Sequence, residues 1–299
     1  MITSPPASRA ASLPDAVRAL YPFSPCTFDV AGGSMSYLDE GPRGAPVVLM
    51  VHGNPSWSFL YRSLVLALRG GFRCIAPDHL GCGLSDKPQD VDYCLATHIE
   101  NLSRLVDHLG ITRAHLVVHD WGGPIGLGTA RRRSAFVDRL VVLNTAAFPS
   151  RRIPVRIAIC RLPWIGALLV RGLNGFSAAA VHMAVERKLS TGAREAYFWP
   201  HRSWKDRIAV REFVRDIPLG TGHRTQSEVN AIGESLDALR SRPSLVVWGG
   251  RDWCFDDVFL GEWKRRLPAA RVVRLAGAGH WSLEDAPEEV TAEIAAFLR

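Results

Sequence analysis

The fold of this chain is decided by the stretch Leu116-Val117-Val118-His119-Asp120-Trp121-Gly122-Gly123. Its apolar, β-branched part ends abruptly before Asp120, and the two glycines lead into residues that favour a helix. This order of strand, tight turn and helix is typical of a nucleophile elbow, in which the turn lifts one side chain above a parallel sheet. The usual serine is absent, so the sequence predicts that Asp120 is the nucleophile. A carboxylate nucleophile forms an ester with its substrate, which favours attack on strained or electrophilic carbon.

Short apolar runs alternate with helical patterns along most of the chain. This alternation predicts βαβ units and a mostly parallel sheet with helices on both faces. Helices are expected at about 93–108, 122–132 and 287–298. The candidate strands are residues 35–38, 47–51, 73–77, 115–118, 139–143, 244–248 and 272–275.

The strand pattern stops between residue 148 and about residue 236, where the chain is rich in Arg, Ala and aromatic residues and has a helical pattern. A helical insertion between two strands is how this architecture covers its site. We therefore predict a helical cap at residues 149–236, inserted into an α/β-hydrolase core formed by residues 1–148 and 237–299. Five aromatic residues of this cap are candidates for lining an apolar pocket or for packing inside the cap: Trp164, Phe176, Phe198, Trp199 and Trp204.

Composition narrows the class of protein. At 299 residues and 47% hydrophobic the chain can bury a full core, and it contains no apolar run of about 18 residues, as a membrane span requires. The first 25 residues lack the basic start and long apolar stretch of a signal peptide. The six cysteines show no metal-ligand spacing. We expect a cytoplasmic protein without a transmembrane segment, and no motif indicates a metal ion, a cofactor or nucleic-acid binding.

The net charge of +7 is concentrated in the predicted cap. Residues 151–234 contain 14 Arg or Lys against seven Asp or Glu, and the remainder of the chain is neutral. Such a basic segment can bind an acidic protein partner or an anionic membrane surface, or it can simply be a solvated surface.

Further polar residues follow the predicted strands and would meet at one edge of a parallel sheet, where sites form. Asp252 follows the strand at 244–248, and His280 lies between Gly279 and Trp281 after the last strand. The order of nucleophile Asp120, acid Asp252 and base His280 is that of an α/β-hydrolase triad. In this interpretation His280 activates water to break the ester, and Asp252 orients the imidazole. Asp256 and Asp257 are competing acids.

Asn54 and Trp121 are candidates for stabilising negative charge. Asn54 follows the strand at 47–51 and Trp121 follows the nucleophile, so their backbone N–H groups are placed for an oxyanion hole. Their side chains also carry N–H donors that suit an anionic leaving group. The alternative is that Asn54 suits the turn and Trp121 fills space. His119 is predicted to point to the back of the sheet, and the loop at 78–86 is predicted to shape the core.

Three stretches together resemble the haloalkane dehalogenase family: His52-Gly53-Asn54-Pro55-Ser56-Trp57, Gly81-Cys82-Gly83-Leu84-Ser85-Asp86-Lys87-Pro88 and Val118-His119-Asp120-Trp121-Gly122-Gly123. The resemblance implies an α/β-hydrolase fold with a helical cap. Members of that family place the triad acid after one of two strands, and here Asn144 occupies the first position while Asp252 fits the second. That pattern is similar to the third dehalogenase subfamily.

A second set of stretches resembles the β-lactone decarboxylases of bacterial long-chain olefin biosynthesis. They are Leu143-Asn144-Thr145-Ala146-Ala147-Phe148-Pro149, Arg171-Gly172-Leu173-Asn174-Gly175-Phe176-Ser177 and Asp216-Ile217-Pro218-Leu219. This resemblance implies a small apolar substrate, a cis-β-lactone with two alkyl arms, which is converted to a cis-alkene and carbon dioxide. It also implies partners among the other olefin-pathway enzymes. Attack of Asp120 on the ring carbonyl and attack on the ring carbon that bears oxygen both remain open.

Haloalkane dehalogenation, which hydrolyses a haloalkane through an alkyl ester of Asp120, is the main alternative function. Epoxide hydrolysis usually needs two cap tyrosines as acids, and only Tyr197 lies in the predicted cap. A serine esterase is excluded because the chain has no Gly-x-Ser-x-Gly motif, and fluoroacetate dehalogenases usually have Arg where Trp121 stands. A binding module without activity is disfavoured because nucleophile, acid, base and both donors are present.

Overall fold

The computed structural model describes residues 10–299. The first nine residues, which belong to the predicted core and to the segment for which no signal peptide is expected, lie outside the described residues.

One sheet of eight strands, in the order β1-β2-β4-β3-β5-β6-β7-β8, forms the centre of the part of the chain from residue 10 onward. The pairs β1–β2 and β2–β4 are antiparallel, and every other pair is parallel. The predicted α/β fold with a mostly parallel sheet is confirmed. The strands are Cys26–Val30 (β1), Gly33–Glu40 (β2), Val47–Val51 (β3), Arg73–Pro77 (β4), Ala114–His119 (β5), Val137–Leu143 (β6), Ser244–Gly249 (β7) and Arg271–Leu275 (β8).

All seven predicted strands are present, but the sequence did not predict β1. Its residues, Cys26-Thr27-Phe28-Asp29-Val30, mix polar and apolar side chains, and only the last of them is buried. Because β1 lies at the edge of the sheet and pairs with β2 alone, it does not need the continuous apolar run of a strand that is buried on both faces.

The helices cover both faces of the sheet. Ile99 of α3 and Ile125 of α4 belong to the hydrophobic cluster on one face, whereas Leu64 of α2 and Ile294 of α13 belong to the cluster on the other. The helices are Asp15–Leu20 (α1), Arg62–Leu68 (α2), Leu95–His108 (α3), Gly122–Arg131 (α4), Val155–Arg161 (α5), Pro163–Gly166 (α6), Gly175–Met183 (α7), Thr191–Phe198 (α8), Ile208–Arg215 (α9), Gln226–Ser235 (α10), Asp257–Arg266 (α11), Ser282–Asp285 (α12) and Pro287–Leu298 (α13).

Between β6 and β7 the chain contains no strand. It consists of α5 to α10, a π-helical segment that continues α6 over Ala167–Gly172, and short 3-10 turns at Trp199–His201, Lys205–Arg207 and Leu236–Leu239. The division of the chain into a core and a cap at 149–236 stays a prediction, although its helical character is present.

Tight packing of α4 against β3 depends on Gly122. A Cβ atom at this position would lie 1.8 Å from the carbonyl oxygen of Val51, far inside van der Waals contact. We predict that Gly122→Ala lowers the free energy of unfolding by about 1–3 kcal/mol, the usual cost of overpacking. Urea denaturation followed by circular dichroism measures this loss.

Gly261 provides the matched control. It lies in α11, and a Cβ atom there would meet nothing within 4 Å. Gly261→Ala is expected to leave stability unchanged or to raise it by about 0.5–1 kcal/mol, because alanine favours the helix. Equal loss in both variants would contradict this account of the packing.

Candidate active site

The turn after β5 holds Asp120 in an unusual backbone conformation. Its φ angle is 51°, in the left-handed region that residues other than glycine rarely adopt. The backbone N–H of Asp120 donates to the carbonyl of Asn144 (3.2 Å), and the Thr145 hydroxyl donates to the Asp120 carbonyl. These contacts from the segment after β6 fix the turn and direct the Asp120 side chain above the sheet.

The structure brings the three predicted triad residues together at the carboxyl edge of the sheet. His280 Nδ1 lies 2.8 Å from Asp252 Oδ2, and His280 Nε2 lies 3.8 Å from Asp120 Oδ2. All three side chains are buried. The imidazole therefore lies between the predicted nucleophile and the predicted acid. The competing acids form other contacts: Asp256 accepts a hydrogen bond from the backbone N–H of Val258 at the start of α11, and Asp257 accepts one from Arg274.

Asp252 is held by more than His280. The backbone N–H of Cys254 donates to its Oδ1 atom (2.7 Å), and the carboxamide of Asn144 donates to its Oδ2 atom (2.9 Å). Asn144 is itself held, because the backbone N–H of Gly249 donates to its Oδ1 atom (2.7 Å). The sequence indicated only that Asn144 stands where some members of the related family place the triad acid. The structure shows in addition that its amide supports Asp252.

The backbone N–H groups of Asn54 and Trp121 point at the predicted nucleophile itself. The N–H of Asn54 donates to Asp120 Oδ1 (2.6 Å), and the N–H of Trp121 also donates to this carboxyl group. They were predicted as an oxyanion hole, and in this position they would stabilise an oxyanion that forms on an ester of Asp120. The Oδ2 atom of Asp120 faces His280.

The side chains of Asn54 and Trp121 both line the cavity above Asp120. The Nδ2 atom of Asn54 donates to the carbonyl of Val210 (3.1 Å), which orients the amide. Because an amide nitrogen carries two hydrogens, the second remains available to a bound group. The ring of Trp121 lies 5.4 Å from that of Phe213, which fixes the indole beside the nucleophile.

Electrostatics couple the buried pair. Burial raises the pKa of Asp120, and this effect outweighs the opposing influence of His280 and of the N–H groups of Trp121 and Asn54. Burial works to lower the pKa of His280, but the Asp252 and Asp120 carboxylates outweigh it, so the pKa is raised above its ordinary value. Both shifts favour the protonated forms of Asp120 and His280 relative to the same groups in water.

His119 supports the imidazole. The sequence predicted that it points to the back of the sheet, but its ring lies 4.5 Å from that of His280. Burial lowers the pKa of His119, so the ring is neutral, and its Nε2–H donates to the carbonyl of His280 (2.9 Å). His119 thus positions the loop that carries His280.

The loop at 78–86 is built around a buried carboxylate. Asp78 accepts hydrogen bonds from the backbone N–H groups of Ser58 (2.7 Å) and Leu84 (2.8 Å). These contacts agree with the predicted role of the loop in shaping the core. Residues 10–299 contain no group of three or more His, Cys, Asp or Glu residues that could hold a metal ion.

An apolar cavity of about 320 Å³ lies above Asp120 and His280. Of the five aromatic cap residues that were candidates for its wall, only Phe176 lines it, and Trp164 is instead 87% exposed. Helical periodicity could not show which face of a short cap helix points inward. Apolar side chains that the sequence did not single out for the cavity include Ile153, Ile157, Leu169, Met183, Val214, Val229, Phe255 and Phe259.

The three stretches that resemble β-lactone decarboxylases all reach this cavity. Ala146 and Phe148 come from the first stretch, Gly175 and Phe176 from the second, and Ile217 and Pro218 from the third. The motifs therefore surround the volume in which a substrate would meet Asp120.

Comparison with known proteins agrees with this geometry. Residues 46–287 match the family model described as the alpha/beta hydrolase fold. The chain is 46% identical to a cis-3-alkyl-4-alkyloxetan-2-one decarboxylase of Shewanella oneidensis, over 93% of this chain and 89% of that protein. It is 32% identical to haloalkane dehalogenase 2 of Mycobacterium bovis, over 92% of this chain and 95% of that protein.

Among solved structures, the chain is similar to the crystal structure of a haloalkane dehalogenase from Bradyrhizobium elkani. The TM-score is 0.84 and the sequence identity is 28%, and the match covers 92% of this chain and 99% of that structure.

Asn144 gives a test of how the acid is held. We predict that Asn144→Ala lowers kcat about tenfold with little change in KM, since Asp252 loses a hydrogen bond that orients it toward His280 and not a contact to substrate. Steady-state kinetics measure this effect on kcat and KM.

Asn174→Ala is the control. Asn144 (φ 23°) and Asn174 (φ 53°) both have a positive φ angle, but the side chain of Asn174 donates to the carbonyl of His201. Both variants lose an asparagine from a strained position, and only Asn144→Ala should lower kcat. An unchanged kcat in Asn144→Ala would show that Asp252 does not depend on this amide.

Proposed function

The chain belongs to the alpha/beta hydrolase fold family, in the branch that contains haloalkane dehalogenases, and we propose that it converts cis-β-lactones with two long alkyl arms to cis-alkenes and carbon dioxide. The observation that carries this proposal is the lining of the cavity. Phe148, Phe176 and Ile217, from three stretches that resemble β-lactone decarboxylases, surround the space above Asp120. A relative that is 46% identical over most of both chains is named for that reaction.

The reaction begins with the free Oδ2 atom of Asp120. It attacks the ring carbon that bears the ring oxygen, a carbon–oxygen bond forms to Asp120, and the bond to the ring oxygen breaks. The electrons of the broken bond remain on the ring oxygen, which becomes part of a free carboxylate. The side-chain N–H groups of Asn54 and Trp121 would stabilise this developing charge.

The second step needs no water. The bond between the carboxylate carbon and its neighbour breaks, and its electron pair forms the carbon–carbon double bond. In the same step the bond from the adjacent carbon to Asp120 breaks and its electron pair returns to the Asp120 carboxylate, so that the alkene and carbon dioxide are released together. The apolar cavity favours this step, because a carboxylate in an apolar environment is destabilised relative to neutral carbon dioxide.

Leaving-group ability favours this attack over attack on the ring carbonyl, and its stereochemistry is consistent with the product. Displacement at the ring carbon inverts its configuration, and anti elimination from the inverted centre gives the cis-alkene. Attack on the carbonyl would instead leave an alkoxide on the carbon that must lose oxygen, and an alkoxide is a much poorer leaving group than the carboxylate of Asp120.

His280 has a different role in this reaction than in hydrolysis. Its raised pKa favours the imidazolium, which lies 3.8 Å from Asp120 Oδ2 and offsets the negative charge that moves between substrate and nucleophile. Asp252 stabilises that positive charge and orients the ring. We assign His280 to charge stabilisation and not to the delivery of water.

The wider setting follows from the proposed substrate. We assign the enzyme to olefin biosynthesis as a carbon–oxygen lyase that works in the cytoplasm with other enzymes of that pathway as partners. The support for this setting is the resemblance of the three cavity-lining stretches to decarboxylases of that pathway.

Haloalkane dehalogenation remains the second candidate, because Asn54 and Trp121 also suit a halide and the triad could activate water. Epoxide hydrolysis gains no support. The hydroxyl of Tyr197 donates to Glu284 Oε1 (2.7 Å), and Tyr197 does not line the cavity.

The two leaving-group donors can be tested by substitution. Trp121→Phe and Asn54→Ala are each predicted to lower kcat about 10²- to 10³-fold, because each removes a donor aimed at developing charge. Trp164→Phe, which changes an exposed indole, is the control and should retain full activity. A loss of less than about threefold in both test variants would remove Asn54 and Trp121 from the mechanism.

His280→Ala separates decarboxylation from hydrolysis. Hydrolytic dehalogenation needs His280 to activate water, so the variant would accumulate an alkyl ester of Asp120 that intact-mass spectrometry detects. Decarboxylation consumes the lactone-derived ester without water, so we predict no persistent adduct after incubation with the lactone. His280→Gln is a second variant at this position, and thermal melting shows whether each variant is folded. A stable adduct with the mass of the intact lactone would contradict the proposal.

A further inference from the structure

Exposed apolar side chains are concentrated on one part of the helical segment between β6 and β7. Among the described residues, eleven large apolar side chains are exposed, and seven of them lie between residues 155 and 173. Trp164 is 87% exposed and Val155 is 74% exposed. We call this set the outer cap face: Val155, Ile159, Leu162, Trp164, Ile165, Leu168 and Leu173. A cluster of this kind on a protein surface marks an interaction site.

The stretch of chain that carries this face contains positive charge only. Residues 151–183 contain five arginines and no aspartate or glutamate. Within residues 10–299, only Arg152 of these five forms a salt bridge, with Asp256. The guanidinium of Arg171 lies 4.6 Å from the ring centre of Trp204, another exposed aromatic residue next to the outer cap face. Apolar side chains mixed with arginines are typical of helices that lie in a membrane interface.

The same segment is apolar on its inner side. Ile157 of α5, Leu169 of the π-helical segment and Phe176 of α7 line the cavity above Asp120. Ile159 and Leu168, one or two residues away, are exposed. A single layer of helix therefore separates the cavity from the outer cap face.

The same segment contains two helices that meet at a sharp bend. No single helix among residues 10–299 is long and apolar enough to span a membrane. One pair of helices, Pro163–Gly172 with Gly175–Met183, is long and apolar enough when taken together, but it is bent by 68°. Straightening the pair would withdraw Leu169 and Phe176 from the cavity wall. The geometry fits helices that lie in the plane of the interface.

We propose that the outer cap face binds the surface of an anionic phospholipid bilayer, with its apolar side chains among the lipids and the surrounding arginines at the headgroups. Each arginine near an anionic surface adds to the electrostatic attraction. The charge disfavours a second copy of this chain as the occupant, because two such faces would bring ten arginines together without a carboxylate from residues 151–183. In the proposed reaction, this placement would give an apolar substrate or alkene a short path between lipid and cavity.

The test is flotation of the full-length enzyme with two kinds of vesicle, neutral phosphatidylcholine and phosphatidylcholine mixed with phosphatidylglycerol. We expect binding to the anionic vesicles that weakens with salt, together with a blue shift of tryptophan fluorescence. The double variant Trp164→Glu, Leu168→Glu is expected to lower the partition coefficient at least about tenfold, because it removes two apolar side chains from the lipid and places two negative charges against anionic headgroups.

Leu66→Glu is the matched control, since Leu66 is exposed on α2 of the core, and it should bind as the wild type does. Thermal melting checks that each variant is folded. Failure of the wild type to bind anionic vesicles, or equal binding by the double variant, would overturn the proposal. A dimer that the double variant loses in sedimentation equilibrium without vesicles would assign the face to self-association instead. No substrate is present, so the result does not depend on the proposed lactone reaction.

Discussion

The left-handed turn at Asp120 is the constraint on which the rest of the site depends. A residue with φ of 51° is strained, and the strain persists only because neighbouring strands hold the turn from both sides. Asn144 and Thr145, directly after β6, form hydrogen bonds with its backbone. Gly53, after β3, leaves room for the carboxylate. A Cβ atom at Gly53 would lie 2.0 Å from Asp120 Oδ1, so the nucleophile and this glycine are fitted to each other.

Once the turn is fixed, the sheet supplies the other groups. Parallel strands end at one edge, so Asn54, Asp252 and His280, which are distant in the sequence, meet around Asp120. Burial then couples them electrostatically. Two carboxylates share one imidazole, and the raised pKa of His280 suits a group that stabilises charge without carrying water to the substrate. In the proposed reaction, the apolar cavity above this cluster would favour the loss of carbon dioxide.

The sequence predicted the central sheet well because its buried strands are continuous apolar runs that end at polar residues. It did not predict β1, whose edge position lets its side chains remain mixed. The cluster of Asp120, Asp252 and His280 followed from strand ends, but the support of Asp252 by Asn144 did not. That contact joins segments more than one hundred positions apart, and nothing local in the sequence indicates it. The lining of the cavity by the helices between β6 and β7 was hardest to predict, because short helices with apolar residues on both sides do not reveal which face points inward. Trp164, a candidate for the lining, is exposed.

The most direct test of the central claim is product analysis with the wild-type enzyme and Asp120→Asn. Each receives a synthetic cis-β-lactone with long alkyl arms and, separately, a panel of bromoalkanes and iodoalkanes. The account predicts that the wild type forms cis-alkene and carbon dioxide without releasing halide, and that Asp120→Asn forms no alkene. Halide release without alkene, or alkene formation by Asp120→Asn at the wild-type rate, would contradict it.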